Sequence, residues 1–389
     1  MLTDDEIKDI IDSYKLEETI PRKQYTNEIF KYFDRKEIIV LKGIRRCGKS
    51  TIMKQLMSQI GVRRSAYINL DDYRFLENRS VELLEKILKI YGDDEKIYLF
   101  LDEIQNIPSF ESWLRTHYDM GTNVKFIVSG SNSTIMTKEM GTLLTGRCIN
   151  FEIKPLDYSE FLTFSGEDID GYLRFGGFPE VVLEKDEEKK KKLLLSYFDT
   201  IVDKDIIQKH DVVNHRQLKE MLKFLILNPG IRISANKLSK QLGISINTVK
   251  TYLSMAQDAY LIFEVPFFSY SAKTKFIGSR ISKYYSIDNG FFQLFSTRYE
   301  ISKLFENSVA LHFFPSRSEL YYWSGDNEVD FVFKDLALNV VSSKKIPQRE
   351  FRGLEEIPFK QIERKIIISP IDDKEKGIIS LERFLKGFS

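Results

Sequence analysis

The chain has 389 residues, of which 42% are hydrophobic and 30% charged, and its formal net charge at pH 7 is +1. This length predicts two or three domains, and this composition is typical of a soluble globular protein. A net charge near zero excludes a chain that is basic as a whole, so any basic surface for nucleic acid must be local.

The two cysteines, Cys47 and Cys148, have no paired spacing, which excludes a disulfide framework and a cysteine zinc site. The polar, acidic N-terminus is unlike a signal peptide. No apolar run approaches the roughly 18 residues that a membrane helix needs. We therefore expect a cytoplasmic protein that makes no membrane contact.

Five short apolar segments follow a helical stretch of about 35 residues, and helical patterns separate them. Alternating strands and helices predict an α/β fold with a parallel sheet covered on both faces. The predicted strands are residues 38–41, 65–70, 96–103, 124–131 and 148–153.

The stretch GIRRCGKST lies between the first predicted strand and a helical pattern, and it fills the G-x-x-x-x-G-K-[ST] pattern of a phosphate-binding loop. Backbone N–H groups and the helix N-terminus attract phosphate there. We expect Lys49 to reach the β- and γ-phosphates of ATP and Ser50 to ligate Mg²⁺. The four positions between the glycines are expected to point outward. The predicted nucleotide-binding residues are Gly43, Ile44, Arg45, Arg46, Cys47, Gly48, Lys49, Ser50 and Thr51.

Two acids, Asp102 and Glu103, end the third predicted strand. Asp102 is expected to hold Mg²⁺ through water, and Glu103 to polarise an attacking water, as in ATPases that hydrolyse their nucleotide. The alternative is a pair of surface acids at a strand end. The fourth strand ends with Ser129, Ser131 and Asn132, which either include a sensor of the γ-phosphate or only form a turn.

Arg147 lies just before the fifth predicted strand. In ring-forming ATPases an arginine at this position faces the neighbouring subunit and neutralises charge that builds on the γ-phosphate. This interpretation predicts self-association of the chain and a catalytic role for Arg147. The alternative is a surface arginine that caps the C-terminus of a helix.

The chain resembles archaeal and bacterial AAA+-like P-loop ATPases that carry a C-terminal domain of the DUF4143 type, and it is similar to the archaeal branch of the signal-transduction ATPases with numerous domains. The resemblance covers nearly the whole chain and includes GIRRCGKST, FLDEIQNIPSFESWLR, SGSNS, LTGR, PLDYSEFL and GGFPE. It implies a five-stranded core with the loop strand central and a small helical lid. In that lid, Pro179 would lie near the nucleotide.

The pattern changes after residue 155, where helices replace the alternation of strands and helices. Two helical segments joined at Gly243 then predict a helix-turn-helix, and the strands that follow complete a winged-helix pattern. We expect domains at residues 1–155 (ATPase core), 156–225 (lid), 226–295 (winged helix) and 296–389 (nuclease-like domain).

The winged helix is a candidate DNA-binding module, because Ser245 can cap its second helix and a basic hairpin follows it. The alternative is a rigid module for protein contacts, since the second helix carries only one cation. The candidate DNA contacts are Asn247, Lys250 and Thr251 on the helix and Lys273, Lys275, Arg280 and Lys283 in the hairpin.

The last unit follows the element order of a PD-(D/E)XK nuclease, an α/β fold whose acids hold Mg²⁺. Glu306 and Asp330 match the helix and strand acids, whereas Asn339 and Val341 stand where the E-x-K pair is needed. Because Mg²⁺ prefers anionic oxygen ligands, we expect a degenerate site that does not cut nucleic acid.

These patterns together predict an ATP-hydrolysing AAA+-like ATPase that couples its nucleotide state to a winged helix and a degenerate nuclease-like domain. ATP and Mg²⁺ are the expected ligands, with DNA and further copies of the chain as the expected partners. Two alternatives remain open, a slow signalling switch that acts through protein contacts and a metal-dependent nuclease.

Overall fold

The computed structural model describes residues 2–14, 17–61, 64–92, 95–130, 144–268 and 281–387. The chain divides into two compact units, Met1–Lys154 and Pro155–Ser389. The first predicted domain boundary, at residue 155, lies beside this division. The separation of the second unit into three domains stays a prediction.

The first unit has a five-stranded sheet in which every pairing is parallel, in the order β2-β3-β4-β1-β5. All five predicted strands are present, each within one residue of its expected ends. The middle strand is β4, so the implied central place of the loop strand is corrected: β1 lies between β4 and β5. The strands are β1 Ile38–Lys42, β2 Ser65–Asn69, β3 Ile97–Asp102, β4 Val124–Gly130 and β5 Cys148–Glu152.

Helices and short 3-10 turns connect the strands of the first unit. Its α-helices are α1 Asp4–Asp12, α2 Lys23–Phe30, α3 Lys49–Ile60, α4 Val81–Tyr91 and α5 Phe110–Met120. The 3-10 turns are Tyr73–Asn78 and Ile104–Asn106.

The apolar core of the first unit explains why these segments form strands and helices. Val40 and Leu101 belong to a cluster of buried side chains that also holds Leu84 of α4 and Leu114 of α5. Strands buried on both faces read as continuous apolar runs, whereas α4 is amphipathic and buries one stripe. Since all strands are parallel, their carboxyl ends share one edge of the sheet, where ligands bind in open α/β folds.

The second unit contains two sheets. One has three antiparallel strands in the order β6-β8-β7, and the other has five strands in the order β13-β12-β11-β10-β9. The strands are β6 Ile231–Ile233, β7 Ile262–Val265, β8 Ser282–Ser286, β9 Leu320–Ser324, β10 Glu328–Phe333, β11 Leu336–Val340, β12 Arg364–Ser369 and β13 Ile378–Ser380.

In chain order, the helices of the second unit lie before, between and after the strands of these sheets. They are α6 Tyr158–Ser165, α7 Ile169–Phe175, α8 Pro179–Leu183, α9 Glu187–Thr200 (continued by the π-helix Ile201–Gln208), α10 His215–Leu227, α11 Ala235–Leu242, α12 Ile246–Asp258, α13 Gly290–Phe295, α14 Ile301–Phe313, α15 Gln348–Glu356 and α16 Leu381–Leu385. Two 3-10 turns, Phe314–Glu319 and Lys374–Lys376, complete the unit.

The predicted pair of helices joined at Gly243 is present as α11 and α12. Gly243 has a positive φ of 65° and ends α11, a conformation that glycine adopts without a steric cost. Ser245 caps α12 as predicted, because its Oγ accepts a hydrogen bond of 3.0 Å from the backbone N–H of Thr248. After residue 301 the elements α14, β9, β10, β11, α15 and β12 give a helix, three strands, a helix and a strand, an order that the sequence pattern also indicates.

The GGFP turn after α7 is fixed by a buried carboxylate. Asp288 accepts hydrogen bonds of 2.7 Å from the Gly177 N–H and 2.8 Å from the Gly290 N–H. Burial raises the pKa of Asp288 to about 7, although these two donors favour its charged form. Gly176 has φ 71°, and a Cβ built there would lie 1.8 Å from Asp288 Oδ1. Only glycine fits this position.

We expect Gly176→Ala to lower the free energy of unfolding by at least about 3 kcal/mol, because strain and a clash combine. Gly166→Ala is the matched control, since Gly166 has φ 69° and open space around it. That control is expected to cost about 1 kcal/mol, the backbone strain alone. Urea unfolding followed by circular dichroism measures both. Equal losses would show that the contact with Asp288 contributes nothing.

Candidate nucleotide site

The loop between β1 and α3 requires both of its glycines. Gly43 has φ 150°, and a Cβ built there would lie 1.9 Å from the Ile153 carbonyl oxygen, so the backbone passes too close for any side chain. Gly48 has φ 99° and ψ 21° at the N-terminus of α3. This glycine places the first N–H groups of the helix at the loop, where an anion is favoured.

Lys49 lies inside the loop and is 4% exposed. Its ammonium group donates to the carbonyl oxygens of Gly43 at 3.0 Å and Ile44 at 3.1 Å. These carbonyls are neutral, so an anionic phosphate at the loop would be a stronger partner for the same ammonium. Lys49 therefore places a positive charge at the position where the sequence predicts that the phosphates bind.

The side chains between the two glycines do not all point outward. Ile44 and Cys47 are buried among the core residues. The prediction of four outward positions is therefore wrong for both, because burial of apolar side chains is favourable. Arg46 is exposed, with φ 70°, and Arg45 is half-buried. Burial also raises the pKa of the Cys47 thiol. Cys47 is therefore a packing residue, and its thiol stays protonated.

Arg22 supports the loop from behind, which the sequence analysis missed. Its guanidinium group is buried and donates to the Cys47 carbonyl oxygen at 2.7 Å and to the Lys154 carbonyl oxygen at 3.1 Å. It also lies 4.6 Å from the centre of the Tyr25 ring. These contacts cross 25 and 132 residues of sequence, so no local pattern indicates them.

The acid pair stands at the carboxyl end of β3. Asp102 is 2% exposed, and its carboxylate accepts hydrogen bonds from Ser129 Oγ and, at 2.5 Å, from Tyr67 Oη. Burial raises the pKa of Asp102, and the negative charge of Glu103 raises it further. Hydrogen bonds from Ser129, Ser50 and Tyr67 oppose that rise. The structure thus brings Ser50 and Asp102 together, the two residues predicted to hold Mg²⁺.

Glu103 has the left-handed backbone conformation, with φ 56° and ψ 47°. For a residue with a side chain this conformation costs about 1 kcal/mol and persists where its surroundings enforce it. The Glu103 N–H donates to Ser129 Oγ at 3.1 Å, and the Gln105 amide donates to the Glu103 carboxylate. Strained backbone conformations of this kind are common at functional sites.

Ser129 lies beside the acid pair, and its role as a γ-phosphate sensor stays a prediction. It is fully buried at the end of β4, donates to Asp102 and accepts from the Glu103 N–H. Its hydroxyl group therefore positions the acid pair. Ser131 and Asn132, the other predicted candidates, lie outside the described residues.

Tyr67 is the second residue that sequence reasoning missed. It lies on β2 opposite Phe100 of β3, and its ring packs edge-on against Tyr14 at 5.6 Å. The Lys54 ammonium lies 5.2 Å from the centre of the same ring. Burial raises the pKa of Tyr67, and the adjacent Asp102 raises it further, so the phenol stays protonated and donates to the acid.

Arg147 is not part of this site within one chain. Its Nε and Nη2 donate to the two carboxylate oxygens of Asp119 at 2.9 and 3.2 Å, and the hydrogen bond lowers the pKa of Asp119. Cys148 pairs with Ile38 at the start of β1, whereas the loop follows the end of β1 at Lys42. The four intervening residue steps span about 13 Å, so Arg147 lies at the opposite edge of the sheet.

Two families match the chain: the AAA domain over residues 35–162 and a domain of unknown function, DUF8612, over residues 166–298. The uncharacterized protein MJ1544 of Methanocaldococcus jannaschii is 32% identical over 323 residues, which cover 76% of this chain and 72% of the relative. The chain belongs to the same family as this archaeal protein, and it carries the AAA domain. The expected AAA-type family and its P-loop core are thereby confirmed.

An uncharacterized protein of Haemophilus influenzae is 28% identical over 292 residues, which cover 70% of this chain and 72% of that protein. Among solved structures, the Walker-type ATPase PABY2304 of Pyrococcus abyssi matches with 13% identity and a TM-score of 0.49, over 71% of this chain and 96% of that chain. DUF8612 is a different family from the expected DUF4143 type. That type and the signal-transduction branch stay predictions.

The remaining predicted site residues lie in the second unit. Pro179 begins α8 at its first position, and its role beside a nucleotide stays a prediction. Asn247, Lys250 and Thr251 are exposed on α12, as expected. The hairpin residues Lys273, Lys275 and Arg280 lie outside the described residues.

Lys283, the fourth predicted hairpin cation, cannot contact a DNA backbone in this structure. It is buried on β8, and its ammonium group forms ion pairs of 3.0 Å with Glu306 and with Asp330. The prediction of a phosphate contact is therefore wrong for Lys283, because a buried ammonium already paired with carboxylates faces no solvent.

The structure brings the two predicted nuclease acids, Glu306 and Asp330, to the same lysine, and Asn339 lies beside Asp330. Asn339 Oδ1 accepts from the Asp330 N–H at 2.9 Å, and its amide donates to the Glu350 carbonyl oxygen at 3.0 Å. Val341 is buried. Among the described residues, no group of three or more His, Cys, Asp or Glu side chains is arranged to hold a metal ion.

No helix in the part of the chain that the structure describes combines the length and apolarity needed to cross a bilayer.

Proposed function

We propose that this AAA protein binds and hydrolyses ATP. The observation that carries the proposal is the buried Lys49 ammonium held inside the loop at the same sheet edge as the acid pair. Ser50 and Asp102 fit a bound Mg²⁺, because a buried carboxylate and a hydroxyl group adjoin there as oxygen ligands. When bound, this ion would offset negative charge on the phosphates.

In this proposal each residue of the site has a separate role in ATP hydrolysis. Lys49 binds the phosphates, and Glu103 accepts a proton from the attacking water as general base. Ser129 positions the base, since its hydroxyl fixes both the Asp102 carboxylate and the Glu103 backbone. Arg22 acts at a distance by holding the loop carbonyl of Cys47.

Glu103→Gln is expected to keep ATP bound while turnover falls at least about 100-fold, the scale of a lost general base. Lys49→Ala is expected to abolish ATP binding, because the main phosphate cation is lost. Glu82→Gln serves as the matched control, since Glu82 is an exposed glutamate at the start of α4. Phosphate release and fluorescent-nucleotide binding measure the two properties.

Unchanged turnover in Glu103→Gln would remove Glu103 from its role. Tight ATP retention with very slow turnover in the native chain would instead favour the regulatory switch over the ATPase.

We further propose that Arg147 acts on the nucleotide of a neighbouring copy of the chain. This proposal is supported by its place at the sheet edge opposite the loop, too far from the site of its own chain. In the described structure, Asp119 holds the guanidinium group by two hydrogen bonds, and a bound γ-phosphate would offer a stronger bidentate partner.

Arg147→Ala is expected to bind ATP normally and to hydrolyse it at least about 100-fold more slowly. Asp119→Ala removes the same ion pair from the other side and is expected to retain turnover, because the arginine stays available. If the ion pair were only structural, both variants would behave alike. ATP-dependent association is followed by light scattering, and a monomer with full activity would refute the proposal.

We propose that the part of the second unit from α10 to β8 binds DNA. The elements α10, β6, α11, α12, β7 and β8 have the order of a winged helix, and the sheet order β6-β8-β7 fits that fold. Asn247, Lys250 and Thr251 are exposed on the second helix of the pair, which reads the major groove in such folds. The rigid protein-contact module is the competing proposal.

Replacing Lys273, Lys275 and Arg280 together by Ala is expected to weaken binding to all DNA sequences equally and to lower the salt slope by about three units, one per lost phosphate contact. The matched control replaces Lys189, Lys191 and Lys192, which are exposed on α9, and removes the same charge elsewhere. Fluorescence anisotropy at several salt concentrations measures both variants. Equal affinity in all proteins would favour the protein-contact module.

A further inference from the structure

Three carboxylates of the second unit converge on one ammonium group. Lys283 Nζ lies 3.0 Å from Glu306 Oε1, 2.8 Å from Glu328 Oε1 and 3.0 Å from Asp330 Oδ1. We call these four residues the charge cluster. The lysine belongs to β8 of the three-stranded sheet, whereas the acids belong to α14 and to β10 of the other sheet. The cluster therefore joins parts of the chain that lie far apart in sequence.

The ammonium group has as many N–H donors as it has carboxylate partners, and the carboxylates are in excess in charge. A lysine has three N–H donors and no acceptor, and Lys283 donates hydrogen bonds of 3.0 Å to Glu306 and to Asp330 and forms an ion pair with Glu328. Its side chain is 2% exposed, and removing a charge from water is costly unless it is paired in this way. Burial alone would lower the pKa of Lys283, but Glu306, Asp330 and Glu328 together raise it well above its usual value.

Further contacts hold the acids in place around the lysine. Tyr285 Oη donates to Glu306 Oε1 at 2.8 Å, and the Val340 N–H donates to Asp330 Oδ2 at 2.9 Å. Gly230 closes the cluster from the side of β6: its φ is 75°, and a Cβ built there would lie 2.2 Å from Glu306 Oε1. The cluster is thus built from several elements, with a buried lysine and partly exposed acids.

We propose that Lys283 is the resident cation of this carboxylate site. The lysine fastens the three-stranded sheet to the five-stranded sheet and keeps the site closed to divalent cations. Its ammonium supplies the positive charge that these anionic oxygens would otherwise have to take from a bound cation. This inference concerns the second unit and does not depend on ATP hydrolysis.

The test is Mn²⁺ binding to the full chain without nucleotide, counted by electron paramagnetic resonance. Lys283→Ala removes the ammonium and leaves space, and it is expected to bind one Mn²⁺ more than the native chain. Lys283→Met removes the charge but fills the space, and is expected to gain no ion. The double variant Lys283→Ala, Asp330→Asn is expected to bind the gained ion at least ten-fold more weakly.

Two results would overturn the proposal. One is a folded Lys283→Ala variant that binds no more Mn²⁺ than the native chain. The other is a native chain that already holds an ion which Asp330→Asn abolishes. A Lys283→Ala variant that folds only when Mn²⁺ is present would support the proposal, because the ion then replaces the missing charge.

A measurement on the native chain keeps the proposal testable if the variants do not fold. Amine acetylation followed by mass spectrometry reports how accessible each ammonium group is. Lys283 is expected to react at least ten-fold more slowly than Lys250, which is exposed on α12. Equal reactivity of the two lysines would show that Lys283 is not seated among the carboxylates.

Discussion

The parallel arrangement of β1, β3 and β4 is the constraint on which the nucleotide site depends. Parallel strands end at a common edge, so the loop after β1, the acids after β3 and Ser129 of β4 meet there although they are distant in sequence. Each contributes a different property: a seated ammonium, a buried carboxylate and a hydroxyl group that connects the acids. A change of strand order would separate these groups, whatever their side chains.

Local sequence patterns predicted those features of the structure that are determined by residues close together in the sequence. The five strands, the loop glycines, the acid pair and the Ser245 cap each leave a signature within a few positions, and the structure has all of them. The supports of the site escaped prediction because they depend on tertiary contacts. Arg22 reaches the Lys154 carbonyl across 132 residues, and the Tyr67 hydroxyl finds Asp102 only through the pairing of β2 with β3.

The second unit stabilises buried acids in two different ways. Asp288 has two backbone N–H donors, and burial leaves its pKa near 7. The carboxylates of the charge cluster share a lysine instead, and the excess of acids accounts for the strongly raised pKa of Lys283. Sequence reasoning assigned Lys283 to DNA because a lysine near other cations resembles a basic surface. The structure shows instead that Lys283 is buried on β8 and that its partners are carboxylates of the same chain.

The position of Arg22 also bears on where the AAA domain begins as a folding unit. The matched family region starts at residue 35, yet Arg22 and the buried Ile7 and Ile10 precede it. A truncated chain starting at residue 35 would leave the carbonyl groups of Cys47 and Lys154 without their guanidinium donor and would uncover part of the apolar core. The packed core of the first unit therefore extends on the N-terminal side of the matched family region, so a fragment cut at that boundary would lack contacts on which the loop depends.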